Sequence, residues 1–549
     1  MAAVACLGFT SCTGDLDVKP IDPNMTTEVT PSGLFNKCYA NLAMAGNGRG
    51  DDQPDIDGLD GGTSGFIRQY WNSNELTTDE AICHWSDDGI QQFCYNTYDS
   101  NHPMLNGYYA RLTTGISYCN QYINTFADQD ATMTAEIRLV RALEYYMLMD
   151  AFGNIPFSTT LSEPIRMTRQ EAYNWIEKEL LELEPNLSDA KPKTDADLNN
   201  YCRLDKAACW MLLSRLYLNA EVYTGTAQWA KAAEYAKKVM DSSYKLNTKG
   251  SGKWSAYQML FMGDNGSSGA SQEAILPLLQ DGITTTSWGT TLFLMASTWK
   301  ADMDLSLYTV NGTQTWLPSG TKDNVPNDGV DTVLVRSYAY GTSEYWAGNR
   351  ARSQLVAKFF PNNDAPQANI QEMVQAAGDD RALFFGVERE LKVTTPTEYT
   401  SGYAVGKFRN TYSNGGAPHN SQFIDTDYFL MRSAEAYLIA AEADARLSGG
   451  TTSATGTGYI NALRKRANTN TLSAYSLSQI LDERSRELYY EGFRRTDLVR
   501  YGLFNSSSYL WDWKAGSQNG AGFDAHLNLF AIPDEDVNAN PNLKQNPGY

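Results

Sequence analysis
Apolar residues recur at helical spacing along much of the chain. In 134–152, "TAEIRLVRALEYYMLMDAF", Ile137, Val140, Ala142, Leu143, Tyr146 and Met147 fall on one helical face. The stretch 169–184 repeats this behaviour and ends before Pro185. Farther on, Trp210, Leu213, Ser214 and Tyr217 match the W-x2-L-G-x2-Y spacing of a tetratricopeptide helix, with serine in the small position. The following "WAKAAEYAKKVM" places Ala232, Ala233 and Ala236 where a partner helix can approach closely. Residues 428–447, "YFLMRSAEAYLIAAEADARL", read as another long helix, with "GYINALRKRAN" as its partner. Residues 245–425 break the pattern: apolar runs are short, and Gly, Asn, Asp, Thr and Pro are dense. Residues 46–65 form a similar polar loop. The pattern predicts a mainly α fold. A tetratricopeptide-like helical scaffold occupies about 105–242 and 426–502, and a loop-rich irregular region with short strands occupies about 46–100 and 245–425. All of it falls in a single domain, 13–549. Loops on a rigid helical frame are where binding function tends to sit.

Charge bears on what could bind there. The chain has 64 acidic against 44 basic residues, a formal net charge of −20, which repels phosphate polymers and suits neutral ligands. Arginine is nonetheless concentrated at 483–502, "ERSRELYYEGFRRTDLVRYG". One helix is predicted over 478–491, with Ile480, Leu481, Leu488 and Tyr489 inward and Gly492 at its stop. Glu483 with Arg486, and Arg484 with Glu487, have the spacing of partners within that helix. Asp497 is placed to cap, or to favour the start of, a second short helix ending at Gly502. These arginines are interleaved with Glu483, Glu487, Glu491 and Asp497, so they read as a fastener between helices and not as a nucleic-acid stripe.

The start, "MAAVACLGFTSCTGDLD", puts a short apolar stretch and small residues ahead of Cys12. It resembles the end of a bacterial lipoprotein signal whose cysteine is lipidated, and Asp15 and Asp17 resemble a surface-export tract. The positive leader region is missing, so the sequence reads as beginning inside that signal, with 1–12 as its remnant. No apolar run reaches 18 residues, so no spanning helix is predicted. Of the other cysteines, Cys202 and Cys209 sit about two helical turns apart, roughly 10 Å, too far to bridge. Cys83 and Cys94 are free to pair but nothing in their spacing demands it. No CxxC pair or His cluster suggests zinc.

The arginine-rich segment also resembles the signature of the SusD/RagB family of surface glycan-binding lipoproteins. The ending "FAIPDEDVNANPNLKQNPGY" is similar to the family's terminal pattern, and the likeness runs from Cys12 to Tyr549 through "LDVKPIDPN", "SNELTTDEAICHW", "RLYLNAEVYTG", "AAGDDRAL" and "YLWDWKAGSQNG". It is closest to the family's starch-binding founder. The resemblance implies four tetratricopeptide-like units, no catalysis, no required cofactor, and lipid anchoring at the outer-membrane surface. The implied partner is a SusC-like TonB-dependent transporter, over which the lipoprotein acts as a lid.

It also implies a site. Apolar sugar faces rest on aromatic rings while polar groups grip hydroxyls, and the starch-binding pattern draws an aromatic arc. Asp60 and Arg68 match its polar residues, Trp85 and Trp346 match tryptophans, and Trp288 replaces a tyrosine. Two departures stand out. Cys83 occupies the place of a further Trp, and Asp88 that of an Asn, losing the amide donor. Trp71, His84 and Tyr98 are candidate compensators, and the loop 309–330 a candidate modifier of the site. Asp264, Asp425 and Asp427 offer hard oxygen ligands and resemble a calcium site of the starch-binding member. The expected function is capture of starch or malto-oligosaccharides and delivery to the transporter. Alternatives are another glycan (xyloglucan, β-glucan or fructan) or peptide binding. For an enzyme there is no positive sign: no GxSxG elbow, P-loop or HExxH occurs.

Overall fold
In the computed structural model, residues 29–300, Met303 and 341–549 are described, together with the backbone of three strands lying between them. The helices begin where short polar side chains satisfy their first amides. Asp130 accepts from Met133 N at the head of Ala131–Phe152, and Thr168 and Glu171 form a reciprocal capping box on Arg169–Leu183. Asp205 caps Lys206–Leu218 in the same way. Consecutive helices then pack in a ladder. Pro103–Phe126 lies against Ala131–Phe152, which meets Arg169–Leu183, and Lys206–Leu218 packs on Trp229–Asp241. Trp229–Asp241 in turn abuts Ser433–Leu447, which carries Ala454–Arg466 and Leu477–Leu488 on its far side. The predicted repeat residues lie on one helix: Leu213, Ser214 and Tyr217 are buried, and half-buried Trp210 donates from Nε1 to Glu184 at 2.6 Å.

One predicted helix is split. Tyr428–Arg432 is a strand paired antiparallel with Ala274–Leu278, and the helix starts only at Ser433. All five strand residues are buried, so the polar face that an amphipathic helix needs is absent, and the aromatic run favours the strand. The remaining sheets are small. Ala81–Cys83 pairs antiparallel with Asn349–Ala351, and Leu305–Val310 lies between Thr313–Pro318 and Val330–Arg336. A continuous buried apolar cluster runs from Leu34 to Ile532 and joins ladder and loops.

The arginine segment forms two helices, Leu477–Leu488 and Arg494–Arg500. The Glu483–Arg486 pair exists, at 2.8 Å, but most partners come from distant segments. Glu487 is not paired with Arg484. It accepts from Arg432 at 2.7 Å, from Arg381 at 3.3 Å and from Arg466. Arg484 turns to Asp497, at 2.7 Å, and Asp497 also takes Arg500. Asp497 therefore does not cap the second helix, whose start has no side-chain cap, but it lies in the first turn, where an acid favours the helix start. Arg494 reaches Asp79, and Arg495 donates to Asn528 O at 2.6 Å while lying over Phe530. Burial alone would raise the Glu483 carboxyl, but Arg381, Arg486 and Arg464 pull it down to about 2.

Cys38, Cys83, Cys94, Cys119, Cys202 and Cys209 are free thiols, and Cys94 Sγ accepts from Cys83 N at 3.4 Å. The lipidation expected at Cys12 lies outside the described residues. Among the described residues no helix is long and apolar enough to cross a membrane.

Candidate functional site
The antiparallel pairing of Ala81–Cys83 with Asn349–Ala351 sets Cys83 opposite Asn349. Trp85, just past one strand, and Trp346, just before the other, therefore emerge at the same end. Trp85 Nε1 donates to Trp346 O at 3.3 Å, and the ring lies so close to Gly348 that a Cβ there would collide with it. Trp346 is fixed from behind by its amide, which donates to Ala296 O at 2.8 Å. Its own Nε1 donates to Glu344 Oε2 at 2.9 Å. Trp288 completes the group, its ring centroid 6.0 Å from that of Trp346 and tilted by 50°. All three tryptophans are half-buried.

The support beneath them is a second aromatic layer. Phe293, fully buried on the helix Thr291–Ala296, meets Trp85 edge-on at 6.3 Å and carries the Arg68 guanidinium over its ring at 5.1 Å. Phe423, 2% exposed, stands 4.7 Å from Trp288. Asp51 is buried too: its Oδ2 accepts from Trp288 N at 2.9 Å and from Ser287 Oγ at 2.7 Å. Burial raises the proton affinity of Asp51, against these hydrogen bonds. Phe293, Phe423 and Asp51 were not found by sequence reasoning. Asp51 and Phe423 sit in polar loops and Phe293 in a short apolar run, with no periodicity to mark any of them.

Arg68 lies on Phe66–Trp71, and burial lowers its proton affinity while Asp87, Cys83 and Asp60 oppose that. Among the described residues no carboxylate comes within ion-pair distance of it, and its Nε is buried without a partner. Asp60 caps the turn Gly61–Ser64, accepting from Thr63 N at 2.9 Å and Thr63 Oγ1 at 2.6 Å. Burial would raise its carboxyl, but the Thr63 bonds and the Arg68 charge bring it below the usual range. Asp88 is exposed at the rim. Of the six predicted residues, Trp346 is linked to both Trp85 and Trp288, Arg68 rests from its helix on the Phe293 ring beneath Trp85, Asp60 acts on Arg68 through its charge, and Asp88 is exposed.

The compensators fare unequally. Trp71 is fully buried between Phe293 and Tyr490, and Tyr98 is buried with its hydroxyl donating to Leu527 O, so neither ring replaces the missing tryptophan. Half-buried His84 bonds Ala347 O through Nε2 at 2.5 Å beside Tyr399. Cys83 itself is 4% exposed and points into the core. Of the loop 309–330, only strand backbone is described.

The three aspartates form a separate neighbourhood. Ser413 N and Oγ donate to Asp264, His419 and Tyr412 to Asp425, and Gln280 N and Tyr201 Oη to Asp427. Burial raises Asp427 to about 8, and Asp195 and Asp425 add to that. The donor set is all oxygen, and among the described residues no lysine or arginine pairs with it, which suits a hard cation. Against that, among the described residues no three His, Cys, Asp or Glu side chains are gathered as a ligand set. The enclosed cavity of about 40 Å³ among Tyr70, Tyr146, Arg215 and Glu435 lies in the ladder and has room for a few waters, not a sugar.

An aromatic floor with polar groups beside it is a surface for a flat, partly apolar ligand. Residues 296–549 match the model described as SusD family, and 16–218 match one described as "Starch-binding associating with outer membrane". The chain is 36% identical to the starch-binding protein SusD of Bacteroides thetaiotaomicron, over 100% of this chain and 98% of that protein. Among solved structures, a laminarin-binding SusD-like protein superposes with a TM-score of 0.62 at 20% identity, covering 96% of this chain and 100% of that one. Surface glycan-binding protein A of Bacteroides thetaiotaomicron, in complex with laminarihexaose, gives 0.63 at 18%, covering 94% and 98%. These relatives are named as binding proteins, and the chain is a non-catalytic glycan-binding protein. With whole-length identity to one member and both family models on its two halves, the chain belongs to the SusD family.

Proposed function
We propose that the protein captures starch and malto-oligosaccharides on the Trp85–Trp288–Trp346 floor, with Arg68, Asp60 and Asp88 serving the sugar hydroxyls. The observation that carries this reading is the floor itself: three half-exposed indoles held from behind by Phe293 and Phe423, in a chain 36% identical to a starch-binding protein. The tilt between Trp288 and Trp346 suits a ligand that curves, as an α-1,4-glucan does. Other glycans form the second reading, favoured by the laminarin named in two structural neighbours. The protein sits at the cell surface on a lipid at Cys12 and hands its ligand to a SusC-like TonB-dependent transporter. The helix ladder, read as tetratricopeptide-like, is the frame for that docking. Calcium is proposed at Asp264, Asp425 and Asp427 on charge grounds. A melting temperature raised by calcium in chelator-treated protein, and not in Asp425→Asn, tests this.

Native electrophoresis through gels holding amylopectin, pullulan, laminarin, xyloglucan or inulin tests the main reading, with Trp346→Ala alongside. Retardation by amylopectin and pullulan, lost in the variant, is expected. Retardation only by another glycan would keep the platform and remove starch.

A further inference from the structure
An arginine without an acidic partner stands beside the aromatic floor, outside the residues assigned so far. Arg49 is exposed. Its guanidinium lies over the Phe423 ring, 5.4 Å from the centroid, and one Nη donates to Gln422 Oε1 at a long 3.4 Å. Among the described residues no carboxylate lies within ion-pair reach of it. In a chain of net charge −20, carboxylates are plentiful, so an arginine held on a ring and left unpaired is notable.

Two lines of contact tie this arginine to the floor. Phe423, its stacking partner, is also the ring behind Trp288, at 4.7 Å. Gln422 donates from Nε2 to Glu344 Oε1 at 3.1 Å, and the other oxygen of Glu344 holds Trp346 Nε1. The turn that carries Arg49 is fixed just as firmly. Gly50 N donates to Thr286 O at 2.6 Å, and the Asp51 carboxylate takes the amide of Trp288. Gly50 and Asp51 both have positive φ, 66° and 62°. A Cβ at Gly50 would strike Trp288 Nε1, and Asp51 adopts a backbone region that non-glycine residues rarely occupy. The buried carboxylate thus holds a strained turn whose exposed product is one planar cation at the edge of the floor.

We infer that Arg49 is a further ligand-gripping residue, donating to the hydroxyls of a neutral sugar resting on Trp288 and Trp346, and that Asp51 positions its turn. The inference rests on the glycan reading of the platform. An anionic ligand is disfavoured by the net charge of −20 and by Asp60 and Asp87, whose charges reach Arg68 at the floor. A stacked guanidinium keeps its plane fixed and offers several N–H groups in one direction, as neighbouring hydroxyls require.

Isothermal titration of the full chain with maltoheptaose and with laminarihexaose, on wild type, Arg49→Ala, Arg49→Lys and Trp346→Ala, tests it, with melting temperatures recorded for each. For whichever sugar Trp346→Ala stops binding, Arg49→Ala is expected to weaken affinity about tenfold, the value of a hydrogen bond from a charged donor. Arg49→Lys should recover only part of that, with the melting temperature unchanged in both. Wild-type affinity in Arg49→Ala, beside lost binding in Trp346→Ala, would overturn the inference and leave the platform standing. Full binding in Trp346→Ala would overturn the platform reading, and the inference with it.

Discussion

Two groups of arginines in this protein are built in opposite ways. Between Arg484 and Arg500, buried guanidinium groups meet carboxylates, Asp79 for Arg494, Asp497 for Arg484 and Glu442 for Arg500, while Arg495 turns to Asn528 O and the Phe530 ring. At the aromatic floor, Arg68 and Arg49 lie on the rings of Phe293 and Phe423, and among the described residues neither has a carboxylate within ion-pair distance. A paired and buried charge has spent its hydrogen-bonding capacity on the fold. A charge stacked on a ring is oriented yet keeps donors to give away. In an acidic chain this difference marks which arginines are spent on the fold and which keep donors free, better than their density along the sequence does.

The strongest way to break the comparison is to remove a shared acid from the first group. Glu487 serves Arg381, Arg432 and Arg466, all buried. Glu487→Ala leaves these cations short of a counter-charge and is expected to cost about 3–5 kcal/mol, read in urea unfolding. A loss below about 1 kcal/mol would mean that the network is decoration and not a fastener.

Acid should separate the two regions more gently. His102 caps Pro103–Phe126 through Nδ1, which accepts from Leu105 N at 3.2 Å, and its Nε2 donates to Gly89 O at 2.9 Å. The cap needs the neutral ring, since a protonated Nδ1 cannot accept, and burial holds the imidazole down at about 4. The folded value lies below the unfolded one of about 6.5, so the cap's contribution is present above that pH and lost as pH falls toward 4. A decline of about 2–3 kcal/mol across that window is expected, and His102→Asn, a cap that does not titrate there, should flatten it. The guanidinium groups at the floor stay charged throughout. Glycan affinity measured on the fraction still folded should therefore hold until the Asp51 carboxyl, raised by burial, takes up its proton.

Reading the sequence went furthest where one segment decides its own structure. Ile137 to Met147 are buried on the helix that their spacing implies, and Ser214 takes the small position on its helix. It went wrong where a distant segment decides. Tyr428–Arg432 is a strand because Ala274–Leu278 lies beside it, and Glu487 leaves Arg484 because Arg432 and Arg466 arrive from elsewhere. The site shows the same split. The tryptophans were legible because indoles in polar loops are conspicuous. Phe293, Phe423 and Asp51, which hold them, were not, since each acts through a neighbour far away in the chain.

The smallest expected effect lies at Asp88, the rim residue whose amide counterpart would donate as well as accept. It is exposed and forms no ion pair among the described residues, so Asp88→Asn disturbs neither the ladder nor the floor, and the melting temperature should not move. What changes is the hydrogen-bonding repertoire: a carboxylate only accepts, while an amide also offers two donors. At an exposed rim, water competes for that donor, so the gain in malto-oligosaccharide affinity should stay below about threefold, under roughly 0.7 kcal/mol. A gain of that size would show that the rim is tuned separately from the stacking floor. A clear loss would show that the carboxylate itself grips the sugar. The comparison between paired and unpaired charge would then extend from the arginines of this protein to its acids.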